Sequence, residues 1–84
     1  MPSYTQNLKE TFGLKYDVKD IGQRIKKLRE KQKMSVNFLA QKSRIDYGML
    51  LRAESGKHEP MLSTLLRIIH GLNIQPAEFF EGFG

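Results

Sequence analysis

Residues 24–62 read RIKKLREKQKMSVNFLAQKSRIDYGMLLRAESGKHEPML, three helical patterns in succession with breaks of only a few residues between them. Connections that short leave no room for a crossover or a strand, so neighbouring helices must pack at once. The first pattern starts earlier, where Ile21, Ile25 and Leu28 fall at i, i+4 and i+7 and make one apolar stripe. Asp17 is its predicted N-cap, with Asp20 three residues on near the positive end of the helix dipole. The spacing predicts a helix over 18–33, with Arg24, Lys27 and Lys31 on its other faces. Ser35 caps a second helix over 36–43 in which Leu39 and Ala40 point inward, and Asp46 caps a third over 47–55 with Leu50 and Ala53 inward.

Gly56 supplies the left-handed residue that ends the third helix, and Pro60 keeps the chain extended beyond it. A fourth helix is predicted over 62–72, its broad apolar face formed by Leu62, Leu65, Ile68, Ile69 and Leu72, with Gly71 and Asn73 marking its end. Pro76 opens a short fifth helix whose Phe79 and Phe80 close the bottom of the core. The expected fold is therefore all-α, a five-helix bundle over 18–84. Residues 1–17 form an N-terminal extension whose pattern supports two readings. Tyr4, Leu8 and Phe12 are spaced four apart and followed by Gly13, as in a helix over 5–12, while Leu14, Tyr16 and Val18 alternate as in a strand.

A chain of 84 residues holds one compact domain and no second. Its net charge of +5 is unevenly spread. From Arg24 to Lys57 ten basic residues face three acidic ones, a local +7, whereas from His58 onward one basic residue faces three acidic ones. A concentrated positive field suits a polyanion. The absence of cysteine fits a reducing compartment, and no apolar run reaches the ~20 residues of a membrane span. The start, MPSYTQNLKE, lacks the basic and apolar regions of a secretory signal, so a cytoplasmic protein is expected. His58 and His70 have no ligand at metal spacing, no Ser, His and Asp set presents itself, and no glycine-rich phosphate loop occurs. No enzyme activity, cofactor or metal is expected.

Taken together, Arg24-Ile25, Leu28-Arg29, Met34-Ser35, Leu39-Ala40, Asp46, Leu50, Glu54-Ser55-Gly56-Lys57, Pro60, Leu65, Ile68, Leu72 and Phe79-Phe80 stand at spacings that resemble the phage repressor and Cro type of helix-turn-helix protein, the xenobiotic-response-element family. The resemblance covers about residues 21–80. It implies a repressor-like bundle in which the third helix enters a DNA major groove and Ala40 is small where the second and third helices cross. It also implies a structural salt bridge between Arg29 and Glu54. Positions that face base edges in such proteins fall on Tyr47, Gly48, Met49, Leu51 and Arg52. Of these Arg52 can reach guanine O6 and N7 with two donors, and Met49 and Leu51 either pack on thymine methyls or belong to the core. Positions that hold phosphates fall on Ser35, Val36, Arg44, Ser55 and Lys57.

The chain departs from the family pattern at Val36, where relatives often carry Gln, and at Lys33 and Arg44, where they carry turn glycines. Gly48, near the start of the third helix, is a further departure and reads no base itself. Two functional expectations result. The first is a homodimeric transcriptional regulator or repressor on double-stranded DNA, bound to a roughly palindromic operator, with Phe83 as the candidate dimer contact. The alternative is a protein interaction module on the same fold, for example an antitoxin that masks a toxin, since Val36, Gly48, Met49 and Leu51 leave that surface short of polar readers.

Overall fold

The computed structural model describes residues 8–81 and 83, and among them six helices and no strand. The helices are α1 (Leu8–Phe12), α2 (Val18–Lys31), α3 (Val36–Ser43), α4 (Tyr47–Ser55), α5 (Leu62–Gly71) and α6 (Pro76–Glu81). The five expected helices are α2 to α6. The extension contributes α1, and residues 5–7 of the helix expected there lie outside the described residues. The alternation of Leu14, Tyr16 and Val18 makes no strand. Instead the Tyr16 ring stacks on Phe83 at 4.6 Å and lies 5.8 Å from Phe80.

At the start of α2 the two aspartates cap each other's turn. Asp17 Oδ1 accepts from the Asp20 amide at 3.2 Å, and Asp20 Oδ2 accepts from the Asp17 amide at 3.0 Å, a reciprocal capping box. Lys9 of α1 reaches the same Asp20 carboxylate at 2.6 Å. Burial pushes the Asp20 carboxyl up, but the Lys9 ammonium and the bonds with Asp17 outweigh it and hold the carboxyl below its ordinary range. The helix stops two residues short of the expected end because Lys33 is left-handed, with φ 59°.

Three turns repeat one geometry without glycine. Lys33, Arg44 and Asn73 have φ of 59°, 56° and 62°, and each is followed by an amide that bonds back across the helix end, Met34 to Arg29, Ile45 to Ala40 and Ile74 to Ile69. A non-glycine residue there costs about 1 kcal/mol, offset by the helix carbonyls that the turn satisfies.

The core follows the predicted stripes closely. Ile25, Leu39, Leu50, Ile68, Ile69, Leu72 and Phe79 are fully buried, with Ala40 and Ala53 filling the narrow places between helices. One expectation needs correction. Leu62 does not join the core: it is 69% exposed at the first turn of α5, on the rim of an open cleft shared with Tyr16, Val18 and Ile21. Arg24 lies off the core stripe, as expected, and is turned toward α6. Its Nη2 donates to Glu78 O at 3.1 Å and its Nε to Phe79 O, so it caps the carbonyls of α6 while its guanidinium lies over the Phe79 and Phe83 rings.

Gly22, within α2, is buried where that helix meets the end of α4. A Cβ there would lie 2.5 Å from Ala53 O and 2.9 Å from Glu54 O, both backbone atoms that cannot swing aside. Helix propensity alone gives Gly22→Ala a gain of about 1 kcal/mol. The contact dictates the opposite sign, a net loss of about 1–3 kcal/mol as α2 and α4 are forced apart. Urea unfolding followed by circular dichroism reads the sign, and a stabilised variant would refute the contact.

Candidate nucleic-acid interface

The exposed face of α4 is defined by what holds its other face. Leu50 and Ala53 are buried, and Glu54 is drawn under α2 by Arg29. Arg29 Nε donates to Glu54 Oε2 at 2.7 Å and Nη2 to Oε1 at 3.1 Å, a two-pronged ion pair with side chains only 11% and 7% exposed. Its remaining Nη1 donates to Met34 O at 2.8 Å, the residue that leads into the Ser35 cap of α3. The Glu54 carboxylate raises the Arg29 pKa above its already high value, so the guanidinium stays charged despite burial. One side chain thus ties α2, the turn before α3, and α4.

Facing away from this anchor, Tyr47 and Leu51 are 47% and 42% exposed, and Arg52 is exposed beside them. Met49 is half-buried and lines an open cleft with Arg52, His58, Pro60 and Met61, so it belongs neither wholly to the core nor wholly to the surface. Gly48 presents bare backbone near the start of the helix. Asp46 holds the N-cap conformation, φ −71° and ψ 148°, but its side chain makes no cap hydrogen bond, contrary to the expectation that it orders the first turn. Leu50 N bonding to Asp46 O at 3.1 Å and the core packing of Leu50 hold that turn in its place.

The residues expected at phosphates divide by what their polar atoms already do. Ser35 Oγ accepts from the Phe38 amide at 3.0 Å and starts α3. Val36 packs against the core, leaving only its main chain to face outward. Ser55 Oγ donates to Arg52 O at 2.7 Å and accepts from the Lys57 amide at 3.2 Å, so its hydroxyl closes the end of α4. The side chains of Arg44 and Lys57 are exposed, and Arg44 O accepts from Arg67 Nη1 at 3.2 Å. Phe83, the expected dimer contact, is half-buried within its own chain against Tyr16 and Phe79.

Several side chains that shape this surface carry no local signal in the sequence. Gln32 Nε2 donates to Leu72 O at 2.7 Å, and Lys42 Nζ reaches Asn73 Oδ1 at 3.1 Å while lying 5.7 Å from the exposed Phe38 ring. These join α2 and α3 to the end of α5 across about forty and thirty residues, beyond any periodicity. Among the described residues no group of three metal-ligating side chains converges, and no helix is long and apolar enough to cross a membrane.

A family model described as helix-turn-helix matches residues 25–79. Among solved structures, the restriction-modification controller protein C.AhdI from Aeromonas hydrophila is 30% identical, with 75% of this chain and 96% of that one aligned at a TM-score of 0.71. A point mutant of the restriction-modification controller protein C.Esp1396I is 27% identical over 79% of this chain and 86% of that one, at a TM-score of 0.75. No curated protein sequence matches the chain.

Because Arg29 is buried, removing its partner strands a charge. Glu54→Ala is expected to cost about 3–5 kcal/mol, a large share of the stability of a small domain. Replacing both residues by apolar ones, Arg29→Met with Glu54→Leu, costs much less because no charge is left behind. Chemical denaturation of the two variants side by side checks the order. A loss below about 1 kcal/mol for Glu54→Ala would place the pair among ordinary surface bridges.

Proposed function

The chain belongs to the Cro/C1-type helix-turn-helix family of DNA-binding transcription regulators, and from that premise we propose that it binds a roughly palindromic operator as a homodimer, with α4 of each subunit in a major groove. The observation that carries this reading is the two-faced α4, anchored behind by the Arg29–Glu54 pair and presenting Tyr47, Leu51 and Arg52 in front. The similar solved proteins are controllers of restriction-modification systems, and a comparable transcriptional control role is the one we assign here. Arg52 reads a guanine, Tyr47, Gly48, Met49 and Leu51 complete the surface against the bases, and Arg44 and Lys57 hold phosphates. Ser35, Val36 and Ser55 contribute the ordered main chain at the ends of α3 and α4 rather than new side-chain donors.

Phe83 is half-buried within its own subunit and stays a candidate contact at the edge of the pairing surface, whose larger part lies elsewhere. Met61 and Leu62 are 72% and 69% exposed, and Leu66 follows one turn along α5. Three adjoining apolar side chains in water support an interface at this end of α5.

A second reading, a protein interaction module such as an antitoxin, is favoured by the apolar character of Met49 and Leu51 within the exposed face. Salt separates the two. Arg44 and Lys57 from both subunits give a slope of about −4 in log K against log salt concentration for duplex DNA. No binding at low salt would favour the protein partner. Arg52→Ala is expected to relax preference at one base pair by ~1–3 kcal/mol, and Lys57→Ala to weaken all sequences alike and flatten the slope. Equal effects from both would refute these roles. For the pairing surface, Leu62→Glu is expected to give a folded monomer in sedimentation equilibrium, and an undisturbed dimer would exclude it.

A further inference from the structure

We infer that Gly48 is a positioning residue for Arg52, and that its missing side chain determines which base the arginine reads. The inference rests on the DNA-binding reading above and concerns the same face of α4. Residues 48 and 52 are one turn apart on that helix, and helical side chains lean back toward the amino end. The Arg52 guanidinium follows this rule fully. A Cβ built on Gly48 would lie 3.4 Å from Arg52 Nη1, and that is the single neighbour within 4 Å apart from the helix's own backbone and the adjoining residues.

The contrast with the other helical glycines gives this contact its meaning. At Gly22 a Cβ would meet the backbone of Ala53 and Glu54, and at Gly71 it would meet the Ser43 hydroxyl and the Leu39 methyl, so packing requires both. At Gly48 packing requires nothing. A glycine inside a helix weakens it relative to alanine; here a Cβ would only touch the guanidinium, while a longer side chain would enter the space the guanidinium occupies. Laid over bare backbone, Arg52 is carried toward the amino-terminal turn of α4, the end of a recognition helix that meets base edges. A side chain longer than a methyl at position 48 would reach into the guanidinium and move it from that turn.

The test is a thermodynamic cycle on DNA chosen by the protein itself. The wild-type chain selects from a random duplex library at low salt, and the winning duplex and its single-base variants are titrated with wild type, Gly48→Ala, Gly48→Leu, Arg52→Ala and the Gly48→Leu/Arg52→Ala double variant. Gly48→Leu is expected to remove the discrimination that Arg52 supplies, roughly 10-fold at one base pair, with Gly48→Ala close to wild type. Both Gly48 variants should match or exceed wild type in melting temperature, which separates an effect on reading from an effect on folding. In the Arg52→Ala background Gly48→Leu should change nothing further at that base pair. Equal losses of discrimination in the two backgrounds, or full discrimination in Gly48→Leu, would overturn the role of Gly48 while leaving the DNA-binding reading intact. If the wild-type chain selects no sequence at all, the DNA-binding reading falls, and this inference with it.

Discussion

The fold turns on one guanidinium. Arg29 of α2 spends two of its donor groups on Glu54 of α4 and the third on the carbonyl of Met34, so the spacing of α2, α3 and α4 is fixed by hydrogen bonds of known direction. Apolar packing is tolerant of small rotations, because one buried methyl exchanges for another at little cost. A bidentate ion pair almost out of water is not, since tilting α4 would expose a charge or break a bond with no replacement. The pair therefore matters less for total stability than for the angle at which α4 presents its outer face. Gly22 acts on the same joint from the other side by letting the backbones of α2 and α4 come into direct contact.

Much of this was legible in the sequence because it is periodic. Leu39, Ala40, Leu50 and Ala53 occupy the buried positions that a 3.6-residue repeat assigns them, and Ser35 and Asp17 cap the helices that their side-chain chemistry predicts. Periodicity misled at Leu62, whose spacing matches the stripe of α5 but whose place in the first turn puts it beyond the edge of the core. On the partners of Arg24 it is silent, for a different reason. The partners of that side chain are main-chain carbonyls 54 and 55 residues away, and a carbonyl has no residue type to betray it.

The candidate site was legible in outline and not in detail. The family resemblance assigned Tyr47, Leu51 and Arg52 to one surface, and all three are exposed. Composition says nothing of what a hydroxyl is already doing, so Ser55 reads as a free donor in the sequence and closes a helix end in the structure. Asp46 makes the complementary point. Its backbone takes the cap geometry that aspartate favours, while its carboxylate takes no part in the cap. Lys33 and Arg44 sit in left-handed turns because the amide bonds beyond them satisfy the helix ends well enough to offset the strain.

The aromatic group formed by Tyr16, Phe79, Phe80 and Phe83 with Arg24 joins the segment entering α2, and α2 itself, to α6 and the residue Phe83 beyond it. Arg24 and Phe79 are 55 residues apart, against 25 for Arg29 and Glu54. Loop closure grows only with the logarithm of length, at about 0.6 kcal/mol per doubling, so the longer closure costs little more than the shorter. Its disadvantage is kinetic, because distant segments meet after local helices have paired. Phe79 is nevertheless fully buried in the same cluster as Leu50 and Ile68, so this clasp closes as part of the core and not as an appendage to it.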